Sequence, residues 1–469
     1  MRGNRTGGAL CLAAAGFVAA CAHVPTAPVE LEARIARQSA ALLDRQDIDA
    51  TIRRIAPEAS TANTGLDRLG LFAALVRLDP KVAEARKAIA TARAGARASR
   101  QAAGPTLMLT SEYANDPAAR SPWLLGGALD LPLDMGGQRS ARIERGDLAV
   151  LMARQDFAET LWSERMAVRR ELVEHLVQTR RAGLAASILA LRDRQIAALE
   201  RRAHLGETAA LDLYPYRALR SQEARALADA GAQAAVARAR IAGLIGLPEQ
   251  ALAGVDLVWS EFDTPPTAPA APLSVSARQQ AVAARADVLR AVTAYDQAQS
   301  DVRAELARQY PAISLAPGYT WERGLVKLPL SVNLALPSFD LNRAAIAAAV
   351  ARRDQAGAAI EAVLADATSA IDAAMAEQGS AWSALRQIRE RELPQTAAAA
   401  ARADDQLRLG AIGRAEWAAA QIAALETQLA ALDALARVQL AQAGLEEALR
   451  RPLDGPELAL KRDQLEMLP

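Results

Sequence analysis

After Pro132 the sequence runs to Pro215 without a proline, and within that span Arg139 to Leu205 reads as one unbroken helix. At 1.5 Å of rise per residue, a helix of about 67 residues is a rod of about 100 Å, several times what a globular domain uses. Any fold of this chain has to be organised around that rod. A partner stretch runs from Asn342 to Leu409, interrupted by Pro394, where a kink is expected. Composition agrees with long, closely packed helices: 51% of the 469 residues are apolar and only 4% aromatic, so alanine and leucine supply the apolar surface. The 55 Lys and Arg nearly balance the 54 Asp and Glu, which leaves no basic field to steer nucleic acid.

The rod occurs twice because a larger unit does. Pro80-Lys81-Val82 aligns with Ala286-Asp287-Val288, Pro105 with Pro311, Leu131-Pro132 with Leu336-Pro337, Arg139 and Ile143 with Arg343 and Ile346, and Leu205-Gly206 with Leu409-Gly410. The ordered matches keep an offset of about 204 throughout, which argues for duplication of a structural unit. The expected organisation is a first repeat over 66–250, a linker over 251–275 with a proline-rich run from Asp263 to Pro272, a second repeat over 276–453, and a tail over 454–469. Each repeat reads as helix, two strands, long helix, Gly turn, helix. The returning helices, 209–246 and 276–308 in one path and 413–450 and 67–103 in the other, each total about the length of a rod, so each rod is expected to face two shorter helices stacked end to end. Ile422, Leu425, Leu429 and Leu432 have the spacing of a coiled-coil seam.

The strands are marked by strict period-two alternation. Val326, Leu328, Leu330, Val332, Leu334 and Leu336 fall on one face, with Lys327, Ser331 and Asn333 on the other. Trp123, Leu125, Leu129 and Leu131 oppose Asp130; Ile313, Leu315, Tyr319 and Trp321 make a third apolar face, and Leu107, Leu109 and Tyr113 a weaker fourth. Strands are therefore expected at 106–115, 123–132, 312–321 and 326–336, each about ten residues, which a tilted strand needs to cross a bilayer. Half-buried hairpins on a soluble sheet fit the same pattern, and Pro317 and Pro329 interrupt regular ladders. If the strands do cross a membrane, four cannot close a barrel, and open edges in lipid leave backbone groups unpaired. Three copies give an even number of strands, twelve in all, that a closed barrel accepts. Trp123 and Trp321 then mark an aromatic belt, while Glu112, Asp130, Lys327 and Asn333 line the lumen.

The first 20 residues have the layout of an export signal, with Arg2 and Arg5, an apolar run through Phe17-Val18 and a small-residue end. Val18-Ala19-Ala20-Cys21 resembles the lipobox of bacterial lipoproteins, which makes Cys21 the acylated first residue of a mature chain with an N-terminal extension over 21–65. Ordinary cleavage after Ala20 or Ala22 is the alternative. Cys11 and Cys21, with His23, His175 and His204, form no CxxC or HExxH spacing; His175 and His204 lie too far apart to share a metal and read as surface residues. No cofactor, metal site or enzyme chemistry is indicated, since no phosphate loop or nucleophile–base set appears.

The ordered set of features, a proline before strand one, Leu-Pro ending strand two, a long helix opening at Arg139 or Arg343 and Leu-Gly turns at 205–206 and 409–410, resembles the TolC-type outer-membrane efflux ducts over roughly residues 66 to 453. That resemblance implies a mainly α fold with a small membrane β part: a homotrimer whose twelve-strand barrel continues into a twelve-helix coiled-coil tunnel. It also implies docking of the tunnel tip to a periplasmic adaptor and an inner-membrane pump of the RND type, with lipid of the outer membrane around the barrel. In the family a Gly followed about six residues later by an acid marks the tip. Here those pairs are Gly206 with Asp212 and Gly410 with Glu416; three copies of Glu416 form a ring at the constriction, and Arg414 pairs with Glu416 or reaches a neighbouring helix. Relatives often carry a second acid where this chain has Ala419. Gly136-Gly137-Gln138-Arg139 resembles the segment opening the long helix in ducts of heavy-metal efflux systems, which the second repeat, Leu341-Asn342-Arg343, does not keep. Metal-cation export is thereby favoured over drug or solvent efflux and type I secretion. A lipid-anchored periplasmic coiled-coil scaffold is the alternative of another class.

Overall fold

The computed structural model describes residues 27–58, 65–113, 115, 121–134, 136–265, 274–322 and 324–460. The export signal, Cys21 and His23 lie outside the described residues, as do 266–273 of the linker and 461–469 of the tail. Two units are distinguished. Residues 1–41 form the first, in which helix α1 (Leu31–Ser39) buries no side chain.

The second unit, residues 42–469, holds everything else. Its order is α2 (Arg45–Ile55), α3 (Arg68–Leu78), α4 (Pro80–Ser99), β1 (Thr106–Tyr113), β2 (Trp123–Leu133), α5 (Gln138–His204) and α6 (Tyr214–Leu244). After the linker come α7 (Val275–Ala283), α8 (Ala286–Ala307), β3 (Ala312–Glu322), β4 (Leu325–Lys327), β5 (Leu330–Ala335), α9 (Arg343–Gln387), α10 (Leu393–Arg408) and α11 (Arg414–Leu449). The same succession of helix, strands, rod, turn and helix therefore occurs twice. α5 is a single helix of 67 residues. α4 and α6 pack along it, as do α8 and α11; α9 in turn packs against α8 and α11, and α10 against α11. Alanine makes this possible, because Ala185, Ala230, Ala237, Ala367, Ala381, Ala403 and Ala418 are buried in the seams and let helix axes approach closely. Ile422 and Leu432 of the expected seam are buried, and Leu425 and Leu429 are half-buried. His175 is half-buried too, its Nδ1 2.9 Å from the Ala234 carbonyl oxygen, and so bridges α5 to α6 rather than facing solvent; His204 is exposed.

At Pro394 the second rod does not break. A five-residue π turn, Ile388–Glu392, precedes it, and α10 continues the helix. Proline has no N–H for the carbonyl one turn back, and a widened turn redistributes the bonds around that gap, with the Thr396 hydroxyl donating to the Glu392 carbonyl at 3.0 Å. The fourth strand is likewise divided, into β4 and β5, around Pro329. Register is nevertheless continuous: Thr320 pairs with Lys327, Gly318 N–H donates to the Pro329 carbonyl at 2.8 Å, and Ala316 pairs with Ser331. Pro329 withholds only its own N–H.

Both rods end in the same hydrogen-bonded turn. Gly206 N–H donates to the Ala203 carbonyl and Glu207 N–H to that of Arg202; Gly410 donates to Leu407 and Ala411 to Gln406. Gly206 and Gly410 have φ of +76° and +71°, the left-handed conformation that closes a helix without a Cβ penalty. Elsewhere the copies have diverged. α6 closes through Gly246 at φ +76°, whereas α11 closes through Arg450 at φ +50°. The first rod is entered through Gly136 and Gly137, the second through Leu341 and Asn342, all at positive φ. Asn342 offsets its strain by donating its side-chain amide to the Glu305 carbonyl and carboxylate at 2.9 and 2.8 Å.

Each repeat has a packed core midway along the rods. Ala367 and Ile371 of α9 pack with Val288 of α8 and Leu445, Ala448 and Leu449 of α11, and Leu71, Leu75, Met166 and Leu172 fill the neighbouring space between α3 and α5. Beside this core lies a buried ionic cluster. Arg68 of α3 meets Asp454 (2.7 Å) and Glu457 (3.2 Å); Arg165 and Arg169 of α5 meet Glu446 of α11 at 2.9 and 2.7 Å, and Arg165 also reaches Glu457 at 3.3 Å. Three guanidinium groups thus face three carboxylates with almost no water. Trp259 caps the cluster, with Arg68 and Arg169 4.5 and 5.2 Å from its ring centroid. Burial works against the charge on Arg68, but Glu457 and Asp454 outweigh it and hold its pKa above the ordinary value. Gly455 lies against this guanidinium: at φ +74°, a Cβ there would fall 1.3 Å from Arg68 Nη2. Glu446→Gln leaves three arginines facing two carboxylates, and we expect it to cost about 3–5 kcal/mol, seen as a large drop in thermal unfolding temperature in detergent; Gly455→Ala should also lower that temperature.

Candidate functional site

Two regions carry the sequence-identified residues: the sheet at one end of the rods and the turns at the other. The sheet runs β1-β2-β3, with β4 and β5 both on the free side of β3, and every pairing is antiparallel. Its register sorts the side chains into two faces, because directly opposed residues share a side. One face carries Leu107, Leu109, Tyr113, Trp123, Leu125, Leu129, Leu133, Tyr319, Val326, Leu330, Val332 and Leu334, each at least 40% exposed. The other face is mostly small and polar, with Met108, Leu124 and Leu325 as its larger apolar members.

All four lumen candidates stand on that polar face. Asp130 Oδ1 accepts from the Ser314 hydroxyl at 2.5 Å and from Asn333 Nδ2 at 2.9 Å, a ladder across β2, β3 and β5. Lys327 pairs with Glu322. Glu112 lies opposite Leu124, which in turn lies opposite Glu322, so Glu112 shares their side. Tyr113 and Trp123 pack edge to face with centroids 5.1 Å apart, and Trp321 stands on the same apolar face beside Leu125. Neither edge of the sheet is covered: β1 and the β4–β5 strand each have one neighbour among the described residues. Unpaired edges and an exposed apolar face of this extent are unstable in water and call for a partner.

At the opposite end, Gly206 and Gly410 shape the turns described above. Asp212 lies exposed on a short 3-10 helix, Ala210–Leu213, and makes no ion pair among the described residues. Glu416 sits in the first turn of α11, where its charge suits the helix N-terminus. Its ionic partner is Arg202, whose Nη1 lies 2.9 Å from Glu416 Oε1 and whose Nε lies 3.5 Å from Glu207. Arg414, expected to pair with Glu416 or reach a neighbouring helix, instead points into solvent with no ion pair among the described residues. Arg202 escaped the sequence reading because a cation in the last turn of a helix is explained by the helix terminus alone. Next to this pair, Asp404 accepts from Trp417 Nε1 at 2.6 Å and from Gln421 Nε2 at 3.0 Å, joining α10 to α11. Gln195 Nε2 reaches the Ala415 carbonyl at 3.2 Å, joining α5 to α11.

Other concave regions offer little chemistry. A cleft of about 590 Å³ between α5, α8 and the segment after α11 is lined by Phe157, Trp162, Glu159, Arg450 and Leu458, with no serine, cysteine or histidine. Burial holds the Glu159 carboxyl above its ordinary pKa, and Arg450 only partly offsets this. Among the described residues no group of three or more His, Cys, Asp or Glu is placed to hold a metal, and no helix is long and apolar enough to cross a membrane. Because the side chains of Arg202 and Glu416 are 42% and 51% exposed, a double-mutant cycle on them is expected to give a coupling of roughly 0.2–1 kcal/mol, read from hydrogen-exchange protection at the start of α11.

No family model matches the sequence. Among curated proteins, the chain is 26% identical over 233 residues to the cobalt-zinc-cadmium resistance protein CzcC of Cupriavidus metallidurans, a match covering 49% of this chain and 53% of that protein. The alignment thus spans about half the length of the relative. Among solved structures, CusC, described in relation to folding and transmembrane channel formation, is similar with a TM-score of 0.66 at 19% identity, covering 84% of this chain and 94% of that one. The open MtrE outer membrane channel of Neisseria gonorrhoeae is similar with a TM-score of 0.66 at 17% identity, covering 92% and 98%. The outer-membrane channel OprN is similar with a TM-score of 0.67 at 20% identity, covering 87% and 98%. Rods, duplicated topology and two-faced sheet together give this chain the fold of the TolC-type outer-membrane channels.

Proposed function

We propose that this chain is the outer-membrane duct of an efflux system, and that three copies close one twelve-strand barrel continued by a tunnel of helices. The observation that carries this reading is the sheet. It has a broad apolar face that the protein leaves bare, a polar face opposite, and two free edges. A closed barrel in lipid satisfies all three conditions at once: the edges pair between copies, the apolar face meets hydrocarbon and the polar face meets water. β2, at 11 residues, is about 36 Å long and at 45° tilt gains about 26 Å in height, enough for the apolar layer. Tyr113, Trp123 and Trp321 gather at one end of the strands, where an interfacial aromatic belt belongs.

In this reading Glu112, Asp130, Lys327 and Asn333 line the barrel, and the rods reach from the membrane into the periplasm. Gly206, Gly410, Asp212, Arg414 and Glu416 form the tip, where a periplasmic adaptor and an inner-membrane pump of the RND type engage. Exposed Leu205, Leu211 and Leu409 give that end an apolar docking surface. One Glu416 from each copy makes a ring of three carboxylates, each held by an Arg202 in the arrangement seen here, so that the pair restrains the tip and its release frees negative charge in the path of cations. Heavy-metal cations are the favoured cargo, supported by the relationship to the cobalt-zinc-cadmium resistance protein and by the Gly136-Gly137-Gln138-Arg139 segment. Cys21 carries the lipid anchor.

Membrane insertion tests the sheet. Val332→Arg puts a charge on the lipid side and should block assembly, at a cost of about 2–4 kcal/mol, whereas Ser331→Arg, one residue away on the water side, should be tolerated; equal tolerance of both removes the barrel. For the tip, Glu416→Ala and Arg202→Ala are each expected to change single-channel conductance, and Glu416→Ala to lower cation preference, in planar bilayers.

A further inference from the structure

Where the sheet meets the rods, the chain exposes a basic and aromatic collar that the transport path does not use. Four arginines stand there without a carboxylate partner among the described residues: Arg97 near the end of α4, Arg139 and Arg142 in the first turns of α5, and Arg343 at the start of α9. All four are exposed. Their neighbours Arg100 and Arg308 are neutralised by Asp147 and Glu305. The two remaining acids of the region form no ion pair among the described residues and leave the collar net positive: Asp134 accepts from Arg139 N–H at 3.3 Å, and Asp340 accepts from the Ser338 hydroxyl at 2.7 Å and from Asn342 N–H at 3.1 Å. Hydrogen bonds gather these segments at one level. Arg139 and Arg142 donate to the Arg100, Ser99 and Gln101 carbonyls at 2.9–3.1 Å, Gln138 reaches the Ala307 carbonyl, and Gln309 donates to that of Leu341 at 2.9 Å.

Two aromatic side chains stand exposed in the segments that flank the strands there. Tyr310, just before β3, is 60% exposed, and Phe339, in the turn that follows β5, is fully exposed. Exposed rings at the same level as guanidinium groups that lack a carboxylate partner match a membrane interface, where aromatic side chains sit among headgroups and arginine meets phosphate. Position adds to this, since the collar directly continues the exposed apolar face, whose last members are Leu133 and Leu336.

We infer that this collar binds the phosphate headgroups of anionic phospholipid on the helix side of the membrane and so fixes how deep the barrel sits. The inference rests on the sheet crossing a bilayer. It assigns Arg97, Arg139, Arg142 and Arg343 as phosphate ligands and Tyr310 and Phe339 as interfacial anchors, with guanidinium chosen over ammonium for its forked donors.

The test uses the full chain in vesicles of phosphatidylcholine and compares the association of spin-labelled phosphatidylglycerol with that of spin-labelled phosphatidylcholine. Wild-type protein should favour phosphatidylglycerol, and the preference should fall in 1 M NaCl. Arg97→Gln and Arg343→Gln make the decisive variants, because both side chains are exposed and neither makes a hydrogen bond or ion pair among the described residues. Each should lower the preference by up to about fivefold, while Arg97→Lys with Arg343→Lys should retain most of it. A wild-type protein with no preference, or a glutamine double variant that keeps it, overturns the inference. So does a double variant that changes the ion selectivity of the channel and not its lipid preference, since the arginines then face the water-filled path. In those outcomes the protein still enters vesicles and conducts; a chain that never enters them sinks the duct reading and the collar together.

Discussion

The six-membered ionic cluster of Arg68, Arg165, Arg169, Glu446, Asp454 and Glu457 is the interaction on which the rest of this architecture depends. Rods lined by alanine slide past one another easily, because small side chains give close approach and little interlocking. Something has to set their relative height. The cluster does so by joining the start of the first repeat, the middle of its long helix, the last helix of the second repeat and the segment that follows it. Charges buried this deeply add little net stability over apolar packing, but any sliding that separates them leaves an uncompensated ion away from water. That penalty makes the cluster a device for register, with Trp259 over its arginines and Gly455 as the point where the backbone must pass close.

Given fixed rods, the sheet and the tip become two ends of one lever. The sheet has no packed core of its own: both faces and both edges are open, so its stability has to come from outside the single chain. The tip is held by exposed pairs such as Arg202–Glu416, each worth little and each easily exchanged for another partner. Stability therefore decreases from the middle toward both ends, which is the gradient a conduit needs when its ends must assemble and move while its centre stays put.

Much of this was legible in the chain because it rests on local rules. Proline spacing revealed the first rod, which spans Gln138–His204 against the expected Arg139 to Leu205. Period-two alternation located the strands within a few residues, and Leu-Gly dipeptides located the turns. What escaped were features set by distant residues. Arg165, Arg169 and Glu446 drew no notice, since nothing in a window of twenty residues shows that Arg165 and Glu446 meet across 281 positions. Arg202 hid behind an adequate local explanation. Pro394 predicted disruption, but not its form, a π turn placed just upstream that lets the helix continue through the proline. Pro329 removed one donor without shifting the ladder, because Gly318 opposite it leaves room: a Cβ there would stand 3.2 Å from the proline ring.

Arg450 closes α11 in the left-handed conformation, at φ +50°. In the first repeat the equivalent position is Gly246, which has no side chain to reach another element and lies so close to the end of α3 that a Cβ would fall 2.7 Å from the Leu78 carbonyl oxygen. In the second, the left-handed turn is kept although the side chain resists it, and that side chain donates to Glu159 of the first rod at 2.5 Å. Duplication thus turned a joint into a rivet. The two halves began as interchangeable parts, and by this exchange each has become specific to its own place, so that a chain built from two first halves or two second halves would keep every helix and strand and still lose the alignment between them.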